Sequence, residues 1–191
     1  MHQGKEVADS DRGHSQAQDG NPESMFMVAR ESHLKGDYQA ALDGYHQAGD
    51  LGFIKALNNI GVIIEARGWN GSVPEDSDDN PLKWFRKGAE LGDPSAIYNL
   101  ARCMETGWWL TMPDSDSKEF DEWYEKYAKT VHDLHLAAAN HGMAPAMCSL
   151  GYIYLNGNGV PKNEAKAIEW FSLAAANGDV EASDKLKELN V

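Results

Sequence analysis

AMCSLGYIYLNGNGVPKNEAKAIEWFSLAAANG, residues 146–178, carries the pattern that decides the fold. Ala146, Leu150, Gly151 and Tyr154 stand at helical spacing and form one stripe of an amphipathic helix. Gly157, Gly159 and Pro161 then interrupt the periodicity, as a connection between helices requires. A second helical pattern follows, in which the bulky pair Trp170-Phe171 stands one turn before the small pair Ala174-Ala175. Small side chains at that point let a neighbouring helix approach closely. Gly178 supplies the left-handed cap that ends the helix.

The same pattern recurs upstream. Trp84-Phe85 precedes Gly88-Ala89 and Gly92, Leu134-His135 precedes Ala138-Ala139 and Gly142, and Gly44-Tyr45 precedes Ala48-Gly49 and Gly52. Shortly after each glycine an alanine opens the next helix: Ala56, Ala96, Ala146 and Ala182. These anchors are 40, 50 and 36 residues apart. The shortest spacing is the bare unit of helix A, loop and helix B; the longer two carry insertions between the helices. A single pair cannot bury its apolar face alone, so successive pairs must stack.

The fourteen positions Ala146, Leu150, Gly151, Tyr154, Gly157, Gly159, Val160, Lys166, Ala167, Trp170, Phe171, Ala174, Ala175 and Gly178 resemble the Sel-1-like repeat (SLR) family, a relative of the tetratricopeptide repeat. The unit at 56–92 keeps Ala56, Gly61, Trp84, Phe85, Ala89 and Gly92. The unit at 96–142 departs most, with Leu134-His135 in place of Trp-Phe. Residues 25–52 are closer to a tetratricopeptide unit, with a Gly36-Asp37 turn before Tyr38. The resemblance implies an all-α fold, an α-α superhelix (solenoid) of antiparallel helix pairs. It also implies an adaptor or scaffold role, with no cofactor and no reaction. The expected division is a disordered tail at 1–22 and a solenoid at 23–191, closed by a polar capping helix at 181–190.

The tail is poor in apolar residues and rich in Gly, Ser, Gln and Asp, so it cannot offset its ordering entropy. The chain carries a net charge of −13. That repels phosphate backbones and argues against nucleic-acid binding, while favouring encounter with a basic partner. No apolar run is long enough to span a membrane and the N-terminus lacks a secretory pattern, so the expectation is a cytoplasmic protein. Cys103 and Cys148 lack metal-site spacing and read as free buried thiols.

Two surfaces are candidates for holding a protein or peptide. By analogy with tetratricopeptide arrays, the third, seventh and tenth residues of each helix A face a concave groove: Asn58, Val62 and Glu65; Tyr98, Arg102 and Glu105; Cys148, Tyr152 and Leu155. The inserted loops present Trp69, Trp108 and Trp109, followed by Asp76, Asp78, Asp79, Asp114 and Asp116. Aromatic side chains rimmed by carboxylates suit a basic partner. The plainer reading is that the tryptophans cover their own loops and that the polar residues cap the following helices. Phe120, Trp123, Tyr124 and Tyr127 form a further helical stripe on extra N-terminal turns of a helix B, expected mainly to pack in the core with part of it open to a partner.

His132 and His135 are the one pair with metal-ligand spacing, and the plainer reading is a packing histidine beside an exposed one. No nucleophile elbow, phosphate loop or zinc-protease motif occurs. The leading expectation is therefore a non-enzymatic interaction module, monomeric or weakly dimeric. Its rivals are an acidic inhibitor or immunity protein against a basic toxin or enzyme, and a metal- or His-dependent hydrolase.

Overall fold

The computed structural model describes residues 20–69, 73–74, 76–105 and 117–191. All regular structure among them is helical: α1 Pro22–Leu34, α2 Tyr38–Asp50, α3 Ile54–Ala66, α4 Pro81–Glu90, α5 Pro94–Glu105, α6 Lys118–Asn140, α7 Ala144–Asn156, α8 Glu164–Ala176 and α9 Val180–Glu188. Helix starts follow side-chain caps. Asn21, Asp37, Asn80, Ser117, Asn163 and Asp179 each accept a hydrogen bond from a backbone N–H in the first turn that would otherwise lack a partner. The first helix opens at Pro22, one turn ahead of Met25 and at the last position of the expected tail; residues 1–19 of that tail lie outside the described residues. The repeat glycines Gly52, Gly92, Gly142 and Gly178 end their helices at φ between 83° and 90°, where an L side chain would be strained.

The chain divides into two compact units, 1–96 and 97–191. In the first, α1 packs on α2, α2 on α3 and α3 on α4. Its core holds Tyr45, Leu57, Ile60, Ile63, Leu82 and Phe85, all essentially without solvent contact. In the second, α6 packs on α7, α7 on α8, and α9 on both α7 and α8. Leu150 and Phe171 are its most deeply buried large apolar side chains.

The small residues of the pattern do what their spacing predicts. A Cβ added at Gly61 would stand 2.5 Å from the Phe85 ring, and one at Gly151 would stand 2.5 Å from the Phe171 ring. Each phenylalanine of a helix B thus packs directly on the bare backbone of its own helix A. At Gly88 the added atom would meet the Ala96 methyl at 2.7 Å. That contact joins the end of one pair to the start of the next.

Candidate functional site

The first helices of the pairs share one burial pattern. Counting from the anchor alanine, Ala56, Leu57, Ile60, Gly61, Ile63 and Ile64 of α3 are buried, and so are Ala96, Ile97, Leu100, Ala101, Cys103 and Met104 of α5. The third, seventh and tenth positions escape the core in both: Asn58, Val62 and Glu65 are half-buried, as are Tyr98 and Arg102, and Glu105 is exposed. In α7 the pattern changes at one place. Tyr152 and Leu155 are half-buried, but Cys148 is 4% exposed and belongs to the interior rather than to an open surface.

The cause is α9. Burial, followed by the charges of Asp179 and Glu181, pushes the Cys148 thiol up from 9.0 to about 12. Burial and then Glu181 push the Tyr152 hydroxyl up from 10.0 to about 12. Lys185 of α9 lies over the Tyr152 ring with its Nζ 5.8 Å from the centroid, and the Tyr152 and Phe171 rings form a T-shaped pair with centroids 5.0 Å apart. Burial also raises the Tyr98 hydroxyl, with Asp179 adding to the effect. The structure therefore brings Tyr98, Cys148 and Tyr152 to one face together with Asp179, Glu181 and Lys185. The last three were missed in the sequence because 181–190 was read as a cap. Ala182 stands at the anchor position and was the signal that this helix takes a helix A place.

In the first unit the inserted loop is held at its C-terminal end. Asn80 is 2% exposed, and its side-chain amide donates to the carbonyls of Val73 and Pro74 at 3.1 Å each while its oxygen caps α4. Trp84 Nε1 donates to the Asp78 carbonyl at 2.9 Å, and Lys83 Nζ reaches the Asp76 carbonyl and the Asp78 carboxylate at 2.8 and 2.6 Å. The Lys83 ammonium holds the Asp78 carboxyl below its usual range. Trp69 is half-buried, and its Nε1 is buried with no hydrogen-bond partner among the described residues. Beside it a cleft of about 450 Å³ runs between α2, the end of α3 and the loop. Trp108, Trp109, Asp114 and Asp116 lie outside the described residues.

The two histidines do not converge. His132 is 8% exposed, so neither of the pair is an exposed residue: its Nδ1 is 3.0 Å from Asp133 Oδ1 and its Nε2 3.3 Å from the Tyr154 hydroxyl. His135 is fully buried, its ring 5.9 Å from that of Tyr98 and its Nε2 3.1 Å from Glu105 Oε1. That distance suits an ion pair, yet neither ring nitrogen has an aligned hydrogen-bond partner among the described residues. No group of three or more His, Cys, Asp or Glu side chains among the described residues is arranged to hold a metal ion. Cys103 and Cys148 are both buried, and they form no disulfide among the described residues. No described helix is long and apolar enough to cross a membrane.

Stacked helix pairs, glycine-under-phenylalanine contacts and a recurrent unburied face on each first helix define an α-helical repeat protein. The Sel1 repeat profile matches residues 22–53, 54–93, 94–117 and 144–179, and the chain belongs to the Sel1 repeat family. The first match includes the stretch compared above with a tetratricopeptide unit. A chitin synthase regulator of Saccharomyces cerevisiae is 28% identical over 151 residues, 79% of this chain and 20% of that protein. A chitin synthase regulator of Malassezia restricta is 28% identical over 149 residues, 75% of this chain and 9% of that protein. The chain thus spans a fifth or less of the length of these relatives. Among solved structures, a protective antigen with an SLR fold from uropathogenic Escherichia coli superposes with a TM-score of 0.74 at 22% identity, covering 94% of this chain and 36% of that one. A Sel1 repeat protein from Oxalobacter formigenes gives a TM-score of 0.54 at 23% identity, covering 70% and 88%. These likenesses show the fold.

Proposed function

We propose that this chain is a protein-interaction module that holds a protein or peptide partner at the groove positions of its first helices and on the Trp69 loop. The observation that carries the reading is the shared burial pattern of α3 and α5, which keeps the same three positions out of the core in successive repeats. Those positions hold Asn58, Val62 and Glu65 in the first unit and Tyr98, Arg102 and Glu105 in the second, with Tyr152 following on α7. Their amide, hydroxyl, guanidinium and carboxylate groups suit the backbone and side chains of an extended peptide. Repeat architectures use recurrent surface positions in this way, since each pair adds one further stretch of contact. The two curated relatives are regulators of a synthase, a role that a protein-binding array can serve. The inserted-loop residues Trp108 and Trp109 belong to the same proposal on sequence grounds.

The test is capture of partners by the tagged chain at low salt, with elution by rising salt. One stoichiometric partner is expected. A triple variant, Asn58→Ala, Glu105→Ala and Tyr152→Ala, should lose it while keeping the parent's helical circular dichroism, at a lowered unfolding temperature because Glu105 also meets His135 and Tyr152 also packs on Phe171. Full retention by that variant overturns the groove assignment. The net charge of −13 favours a second reading, inhibition of a basic toxin or enzyme, in which association slows steeply with salt.

A further inference from the structure

The cleft beside Trp69 has an apolar floor and an acidic rim. Leu42 of α2 and Ile64 of α3 form the floor, at 7% and 8% exposure, and Trp69 and Val73 stand over it from the loop. Asp43, Asp78 and Asp79 are exposed around the mouth, and His46 and Arg67 complete the lining. The carboxylates are not equivalent. Asp78 is paired with Lys83 at 2.6 Å, and Asp43 accepts only from the neutral amide of Gln39, at 2.9 Å. The Asp79 carboxylate makes no ion pair among the described residues. Discounting Asp78 and its partner Lys83, the described lining residues leave two carboxylates against the cation Arg67. Within the wall, the carbonyls of Val73 and Pro74 are tied by the buried amide of Asn80 and that of Asp78 by the Trp84 indole, so a ligand need not order these residues on entry.

We propose that this cleft receives one arginine side chain of a protein partner. An arginine is the residue that fits both parts of the lining. Its aliphatic stem covers Leu42, Ile64 and Val73 while its head stays near the rim. Its guanidinium stacks on an indole and offers paired donors to Asp43 and Asp79. A lysine ammonium makes the same charge contact without the planar stacking. The proposal rests on the reading of the chain as a protein-interaction module, and it names the chemistry of one contact.

The experiment uses the full chain, isotope-labelled, with the Trp69 indole resonance assigned through Trp69→Phe. The probes are acetyl-Gly-Arg-Gly-amide and the same peptide with citrulline, which keeps the shape and removes the charge. The arginine probe should shift the Trp69 indole and His46 resonances in a saturating manner, and the citrulline probe should not. Asp79→Asn should weaken the arginine probe about two- to fivefold, and Arg67→Gln should tighten it by a similar factor, the range expected of partly exposed charge pairs. Both substitutions are at exposed positions, and unchanged spectra away from the cleft would show that the fold is intact. Equal shifts with arginine and citrulline, or indifference to both substitutions, overturn the proposal. A captured partner that still binds in that case leaves the interaction reading standing and removes only the arginine receptor.

Discussion

At the scale of the residue, the most informative comparison lies within the chain. Phe85 and Phe171 each lie against a glycine, and at both places a methyl would intrude to 2.5 Å. The repeat between them has Ala101 where those two have glycine and His135 where they have phenylalanine. A methyl is larger than a hydrogen and an imidazole smaller than a phenyl ring, so the two departures from the family pattern offset each other in volume. His135 is fully buried with no aligned hydrogen-bond partner among the described residues, which is a costly substitute for an apolar ring. His135→Phe alone should therefore overpack against Ala101, as should Gly151→Ala against Phe171, each losing about 1–3 kcal/mol. Combining His135→Phe with Ala101→Gly should recover most of that loss. A double-mutant cycle by urea unfolding should give a coupling of about 1 kcal/mol or more in favour of the pair, and additive effects would show that the two sites do not share a contact.

At the scale of the element, the loop before α4 shows how an insertion is kept from fraying. Asn80 does three things at once: it caps the helix through Leu82 N–H and it gathers the carbonyls of Val73 and Pro74. Pro81 behind it is preorganised for the first helical position. Asn80→Ala removes the cap and leaves two carbonyls without their donor, for an expected loss of about 2 kcal/mol. The loss should appear as a lower unfolding midpoint together with faster cleavage of the loop by a nonspecific protease. Protection unchanged from the parent would mean that Lys83 and Trp84 suffice to hold the loop. Helix α6 is the other element altered by insertion, running 23 residues where α4 has 10 and α8 has 13. Its added turns carry the aromatic stripe, in which Trp123 stacks on Tyr127 at 5.0 Å and Phe120 on Tyr124 at 6.0 Å. Tyr124 is 44% exposed, so part of this stripe faces solvent, as the sequence reading allowed.

At the scale of the whole molecule, three buried or half-buried acidic protons make stability fall on the alkaline side. Burial and then Asp179 and Glu181 push the Cys148 thiol from 9.0 to about 12. Burial and then Glu105 push the Tyr127 hydroxyl from 10.0 to about 12, and Tyr152 moves by the same amount with Glu181 as the second cause. For each, the folded state keeps a proton that the unfolded chain has already released. The stabilisation is complete below the unfolded values of 9.0 and 10.0 and is lost as the pH climbs from there towards about 12. The urea midpoint should therefore fall progressively as the pH rises from 9.0 towards about 12. Cys148→Ala combined with Tyr127→Phe and Tyr152→Phe should flatten that fall, and an equally steep fall in the triple variant would assign it to other groups.

Sequence alone determined the repeat. Glycines at the helix ends, small residues one turn after bulky ones and alanines at the anchor positions are local necessities of close helix packing, so they repeat in the chain as they repeat in space. That the third, seventh and tenth positions of α3 and α5 share a face follows from the 3.6-residue period, while their choice as groove positions rested on the analogy with tetratricopeptide arrays. Only the tertiary structure decided what covers a face. Cys148 stands at a groove position by count, yet α9 folds over it, and burial by a later helix leaves no mark in the local pattern. His132, read as the exposed partner of a packing histidine, is closed in by Asp133 and Tyr154, the second of them 22 residues on. The cleft beside Trp69 likewise needs α2, α3 and the loop at once. Its lining residues are scattered from Gln39 to Asp79, and no spacing in one segment encodes a wall that three segments build together.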